Sequence, residues 1–183
     1  MKPIVLAFAG SIASGKSTLS TKVAETLHWP RVSFGDYVRS VARLRGFPEL
    51  REVLQTVGAE LVENDVKQFC RAVLAQVNWQ PGQRLVIDGI RHVEVLTTLR
   101  QLVAPMDLYL IFIVVDESVR AVRLLEREKS NPTSYQLLEL NSTEQQVKGY
   151  LENMADLVVD STCSIEEVTK EVTSWLQSQC VKN

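Results

Sequence analysis

The chain has 183 residues, 45 % of them apolar and 23 % charged, and carries a formal net charge of −2 at neutral pH. That size and balance fit one α/β domain whose core needs no disulfide or metal staple. They argue against a protein that coats nucleic acid or an anionic membrane.

Ile4 to Ala9 is an unbroken apolar run, the pattern of a strand covered by helices on both faces. It is too short for the apolar region of a secretory signal, and no stretch approaches transmembrane length. Gly10-Ser11-Ile12-Ala13-Ser14-Gly15-Lys16-Ser17 follows and matches G-x-x-x-x-G-K-[ST]. A helix with Leu19, Val23, Ala24 and Leu27 on one side begins within the motif, which completes the strand–loop–helix setting of a phosphate-binding loop. Gly10 and Gly15 let successive amides turn inward around a phosphate, and the helix start adds free N–H groups and a positive dipole end. Lys16 would place a charge at the β- and γ-phosphates of ATP, and the Ser17 hydroxyl can ligate magnesium. The expected nucleotide-binding set is therefore Gly10, Ser11, Ala13, Ser14, Gly15, Lys16, Ser17 and Thr18.

Further along, Arg31 to Phe34 is a brief second strand and Arg84 to Asp88 a third. Leu108 to Val115 is a fourth, and Ala155 to Val159 a fifth. The stretch from Leu50 to Val77 reads as long helix, broken near Gly58 or Asn64. Leu96, Leu99 and Val103 mark another helix. Asp116 caps one carrying Val119, Val122 and Leu125. Ile165, Val168, Val172, Trp175 and Leu176 form a single stripe behind a Ser164–Glu167 capping box. Alternating strands and helices predict a mostly parallel sheet with right-handed crossovers.

Two motifs narrow the chemistry. Phe34-Gly35-Asp36-Tyr37-Val38-Arg39 follows the second strand, and Val86-Ile87-Asp88-Gly89-Ile90-Arg91 ends the third. Here the chain resembles the nucleoside and nucleotide kinases, in which adenylate kinases carry a similar G-D-x-x-R and D-G-x-x-R. The I-D-G-I-R form is also similar to small nucleotide kinases related to dephospho-CoA kinase. So is the ending Ala155 to Asp160 with Ser164 to Val168. Arg51-Glu52-Val53-Leu54-Gln55-Thr56-Val57-Gly58 resembles an R-x-x-L-Q-x-x-G stretch of phage-type deoxynucleoside monophosphate kinases. The resemblance implies a three-layer α/β/α P-loop fold with a five-stranded parallel sheet in the order 2-3-1-4-5. It also implies one kinase domain over residues 1–183, with an acceptor-binding helical insert at about 36–80 and a short lid at about 127–148.

In that setting Asp88 would hold magnesium through water or bond Ser17, the alternative being a helix-cap aspartate. Asp36 would orient the acceptor, join the magnesium water shell, or cap the next helix. Arg39 and Arg91 are candidate clamps for an acceptor phosphate, or else solvated arginines. Arg51 and Gln55 would complete the acceptor site, with Gln55 reading a base edge, while Leu54 and Val57 read as core. Arg120, Arg123 and Arg127 recur on one helix face. Arg120 reads as solvated, and Arg127 with Lys129 leads into the lid, where similar kinases stabilise the transferring phosphoryl group. The segment Leu138 to Gln145 lacks the arginines that related lids carry.

The remaining residues are bland. His28 and His92 read as surface or core, and Trp175 as packing. Cys70, Cys163 and Cys180 have neither zinc nor redox spacing, so a reduced cytoplasmic setting is expected. The reading is an ATP- and Mg²⁺-dependent phosphotransferase acting on a small nucleotide acceptor, foremost a (deoxy)nucleoside monophosphate, as monomer or homodimer. Dephospho-CoA kinase and a nucleotide-dependent regulatory ATPase are the alternatives. A kinase of nucleic-acid ends is disfavoured, because the chain has no basic tract.

Overall fold

The computed structural model describes residues 3–130 and 147–182, with side chains for all of these except 127–130, 147–148 and 180–182. Strands β1 (Ile4–Gly10), β2 (Arg31–Ser33), β3 (Leu85–Ile90), β4 (Asp107–Val114) and β5 (Leu157–Asp160) form one sheet in the order β2-β3-β1-β4-β5. Every pairing is parallel. The helices are α1 (Lys16–Leu27), α2 (Phe34–Leu44), α3 (Arg51–Ala75), α4 (Val93–Val103), α5 (Glu117–Ser130) and α6 (Ile165–Lys182), with one π-helical turn at Val147–Leu151. The alternating order and the strand order are those expected of a three-layer P-loop kinase fold.

The apolar runs are explained by what covers them. All seven residues of β1 are buried. Val5, Ala7 and Ala9 point to one face with Leu85 and Ile87, under Phe69, Val73, Leu96 and Leu99 from α3 and α4. Leu6 and Phe8 point to the other, under Leu19 and Val23 of α1 and Val168 and Val172 of α6. A central parallel strand has no wet face, so it shows no alternation.

Local capping sets where the helices begin. The Asp36 amide donates to Ser33 Oγ at 3.2 Å, so Ser33 starts α2 directly off β2. Asp116 accepts from the Ser118 amide at 2.9 Å ahead of α5. Ser164 and Glu167 cap α6 reciprocally, at 3.1 and 3.3 Å from each backbone amide to the opposite side chain. The break expected in the long helix falls at Asp65, one residue past Asn64, while Gly58 stays helical. Asp65 leaves helical geometry (φ −163°, ψ 90°) and accepts from the Gln68 amide at 2.8 Å, which makes it an N-cap inside α3. The second half of α3 packs Phe69, Cys70 and Val73 into the core, and the first half buries Val57 there while its Arg51, Leu54, Gln55 and Gly58 line the cleft.

Of the expected lid at about residues 127–148, only the backbone at its two ends falls within the described residues. Among the described residues no helix is long and apolar enough to cross a membrane.

Candidate functional site

A cleft of about 410 Å³ opens at the carboxyl ends of β1, β2 and β3, where open parallel sheets bind ligands. One wall is the phosphate loop between β1 and α1. Gly10 has φ 155°, and a Cβ there would lie 2.8 Å from both Ile113 O and Ser14 Oγ. No other residue fits that turn. Gly15 precedes α1 in left-handed geometry (φ 83°), and Ala13 holds φ 62°. A non-glycine residue in that region costs about 1–3 kcal/mol and persists only where its surroundings enforce it. Here Ser161 Oγ donates to Ser14 O at 2.6 Å. Arg123 reaches across from α5, with Nη1 3.5 Å from Ala13 O and 3.2 Å from Ser161 Oγ, and Nη2 2.9 Å from Ser161 O. The loop is thus braced from outside through its carbonyls at Ala13 and Ser14. Lys16 is only 8 % exposed, and its ammonium lies 3.3 Å from Ser11 O.

Ser17 and Thr18 line the cleft on the first turn of α1, and Asp88 closes its floor from β3. Asp88 is 2 % exposed. Arg31 Nη2 donates to its Oδ2 at 2.6 Å, whereas Oδ1 is buried with no hydrogen-bond partner. A buried carboxylate oxygen left without a partner on a residue that lines this cleft suits the water shell of a hydrated cation. Among the described residues no cluster of three or more His, Cys, Asp or Glu could hold a metal alone. Magnesium takes one or two protein groups and leaves the rest to phosphates and water. Ser17 and Asp88 fit that ion.

The opposite wall is basic. Arg39 on α2, Arg51 at the start of α3 and Arg91 after β3 all line the cleft. Burial drives the Arg91 pKa well below its ordinary value; the Arg51 charge adds to the fall, Asp88 opposes it, and Arg39 adds again. Converging guanidiniums of this kind favour an anion between them. Arg39 is oriented by Asp36 at 2.7 Å on the same helix. Gln55, one turn beyond Arg51, has both amide atoms buried and unpartnered, and with Leu54 and Gly58 it turns toward the cleft. Phe34 packs edge-on to Phe69 at 5.0 Å, and both line the same space.

The structure gathers most of the expected site residues into one cleft: Ala13, Gly15, Lys16, Ser17 and Thr18 of the loop, then Asp36, Arg39, Arg51, Gln55, Asp88 and Arg91. Gly10, Ser11 and Ser14 shape the loop without lining the cleft. Several readings need correction. Asp36 is not the cap of α2, because Ser33 does that. Asp88 is not a cap either, since it lies within β3 and α4 starts after His92. Arg120 is no solvated arginine: it is 5 % exposed, and its Nε donates to Glu117 at 2.9 Å. Leu54 faces the cleft as well as the core. His92 is neither surface nor plain core. It lines the cleft, and burial lowers its pKa, with Arg91 adding and Glu94 opposing. The side chains of Arg127 and Lys129 lie outside the described residues. Sequence reasoning missed Arg31, Arg123 and Ser161. Only Arg123 left a trace, in the helical recurrence of Arg120, Arg123 and Arg127.

The fold and this cleft define the class, a P-loop kinase fold. An AAA domain model matches residues 6–148. A UPF0200 protein of Pyrobaculum aerophilum is 32 % identical over 173 residues, spanning 92 % of this chain and 94 % of its own. The chain belongs to the AAA domain family and to the UPF0200 group. A gluconokinase structure from Sinorhizobium meliloti aligns with TM-score 0.63 at 18 % identity, over 97 % of this chain and 93 % of the other. The APS kinase CysC of Mycobacterium tuberculosis, solved with AMPPNP and APS, aligns with TM-score 0.60 at 16 % identity, over 96 % and 98 %.

Proposed function

We propose that the chain is an ATP- and magnesium-dependent phosphotransferase that moves the γ-phosphate to a nucleotide acceptor, foremost a (deoxy)nucleoside monophosphate. One observation carries the reading: the phosphate loop and the Arg39–Arg51–Arg91 wall face each other across a single cleft. A plain ATPase has no use for a second anion site, whereas a kinase must bring two anionic substrates into line. The APS kinase of similar fold was solved in complex with AMPPNP and APS, which supports a nucleotide acceptor here. Gln55 is placed to satisfy its buried amide on a base edge, because an unpaired buried amide is costly until a ligand completes it.

The proposed division of labour follows the geometry. Loop amides and Lys16 hold the donor phosphates, and Ser17 and Asp88 hold the cation. Magnesium bound there would supply charge neutralisation at those phosphates. Arg91, Arg51 and Arg39 grip the acceptor phosphate, and Asp36 aims Arg39 and faces the acceptor's attacking oxygen. Helices α2 and α3 form the acceptor-binding insert, and Arg127 would serve the transferring group from the lid.

The test is an acceptor panel. Purified protein is incubated with ATP, magnesium, each ribo- and deoxynucleoside monophosphate, and dephospho-CoA, while ADP release is followed. The expected result is fast release with one nucleoside monophosphate, and an Arg91→Met variant that raises the acceptor KM. Fast release with dephospho-CoA alone would reassign the acceptor. Slow release indifferent to every acceptor would contradict the kinase reading.

A further inference from the structure

Arg31 begins a strand only three residues long, yet it holds together two elements on either side of the cation position. In the β2–β3 register Arg31 lies beside Val86, and Asp88 sits two residues further along. Residues two apart on a strand share a face, so the Arg31 side chain and the Asp88 carboxylate lie on the α1 side of the sheet. From there Arg31 makes two contacts with different ends of its fork. Nη2 donates to Asp88 Oδ2 at 2.6 Å and Nε donates to Ser20 Oγ at 3.1 Å. Ser20 in turn donates its hydroxyl to Ser17 O at 3.0 Å. The result is a continuous chain, Ser17–Ser20–Arg31–Asp88, tying the two proposed cation-holding residues to each other beneath the cleft floor.

On the reading of Ser17 and Asp88 as the magnesium-holding pair, we infer that Arg31 is a positioning residue that sets the separation of that pair. It fixes one Asp88 oxygen and leaves the other, buried and without a hydrogen-bond partner, on a residue that lines the cleft. Its charge also neutralises a carboxylate that is 3 % exposed along the side chain. A carboxylate already paired with a guanidinium is a weak direct ligand for a cation but a good acceptor for a cation's water, and magnesium gives up its water reluctantly. Lysine cannot replace it. An ammonium is a point charge without the planar fork that reaches Ser20 and Asp88 at once.

The inference is tested by binding rather than turnover. Affinity for the non-hydrolysable analogue AMPPNP is measured by calorimetry in magnesium and in EDTA, for wild type, Arg31→Lys, Arg31→Met and Ser20→Ala. Wild type should bind more tightly with magnesium. Both Arg31 variants should lose about tenfold of that increment, the scale on which outer groups tune metal sites, with little change in EDTA. Ser20→Ala should shift the same way by less, and it carries the test if Arg31→Met does not fold. A magnesium increment retained in Arg31→Lys and Ser20→Ala overturns the brace. Equal weakening in magnesium and EDTA also overturns it, because that is the mark of a merely structural ion pair. If wild-type protein itself gains nothing from magnesium, the cation-site reading falls first and takes the brace with it.

Discussion

Cys70 and Cys163 carry the same thiol in opposite surroundings. Burial beneath α4 pushes the Cys70 thiol up to about 12, while Cys163 is exposed. Only a thiolate attacks an alkylating agent, so iodoacetamide should label Cys163 and spare Cys70 in the folded protein. Peptide mass mapping checks this, and equal labelling would mean that α3 does not stay packed. Lys16 is decided by burial as well. It reaches the cleft from a sealed loop, so removing it strips a fixed charge that water cannot replace. Lys16→Ala should lower phosphoryl transfer about 10²-fold or more, measured as initial ADP release, because preorganised charges are worth that much in a closed site. An unaffected rate would contradict its role. Lys16 and Ser17 were legible in the sequence because their partners are a few residues away. Arg31, Arg123 and Ser161 were not, because they meet Asp88, Ala13 and Ser14 across 57, 110 and 147 residues. Nothing local marks an arginine as the brace of a loop elsewhere in the chain.

Among the elements, α6 shows how closely a local signal can match the structure. The Ser164–Glu167 box was read from spacing and is present with both bonds made. Ser164→Ala should cost about 1 kcal/mol in urea unfolding. The Ser164 hydroxyl and amide hold the Glu167 carboxyl below its usual range. Its folded pKa is the lower one, so its contribution is fully present above the unfolded carboxylate's pKa. That contribution is lost as pH falls through the folded value. Glu167→Gln should therefore flatten the acid limb of stability against pH, and an unchanged limb would contradict the capping argument. Asp116 and Asp160 are lowered by Ser118 and Thr162 in the same sense, so the wild-type limb should not vanish entirely. Helix α3 was harder. Gly58 and Asn64 are the residues whose propensities suggest a break, yet Asp65 makes it by capping the next turn with its own carboxylate. Gly58 stays helical with Val38 Cγ2 3.8 Å from where its Cβ would stand. Tertiary packing overrode propensity there.

For the molecule as a whole, the sheet order matters because it brings the phosphate loop and the arginine wall to one cleft. With β1 central and β3 next to it, the phosphate loop, Asp88 and Arg91 emerge at one edge. The helices between β2 and β3 then fold back over that edge with Arg39, Arg51 and Gln55. The layers are held by closely packed apolar side chains, so Leu99→Ala, fully buried in the α3–α4 face, should cost about 2–5 kcal/mol in denaturant unfolding. A cost near zero would mean that face is not a packed core. The alternation of strands and helices was legible from apolar runs alone, whereas the strand order came through family resemblance, since runs do not say which strand neighbours which. Arg39, Arg51, Gln55 and Arg91 were legible from the motifs that carry the resemblance, whereas their meeting in one cleft follows from how α2, α3 and the end of β3 are brought together. The two-sided cleft is tested most directly by titrating the protein with two adenosines joined through a polyphosphate chain. That molecule should bind more tightly than AMPPNP, by about tenfold or more if both anion sites engage at once. The gain should disappear in Arg91→Met while AMPPNP binding persists. A bridged molecule that binds no better than AMPPNP to the wild type, with Arg91→Met making no difference, would contradict a cleft built for two nucleotides.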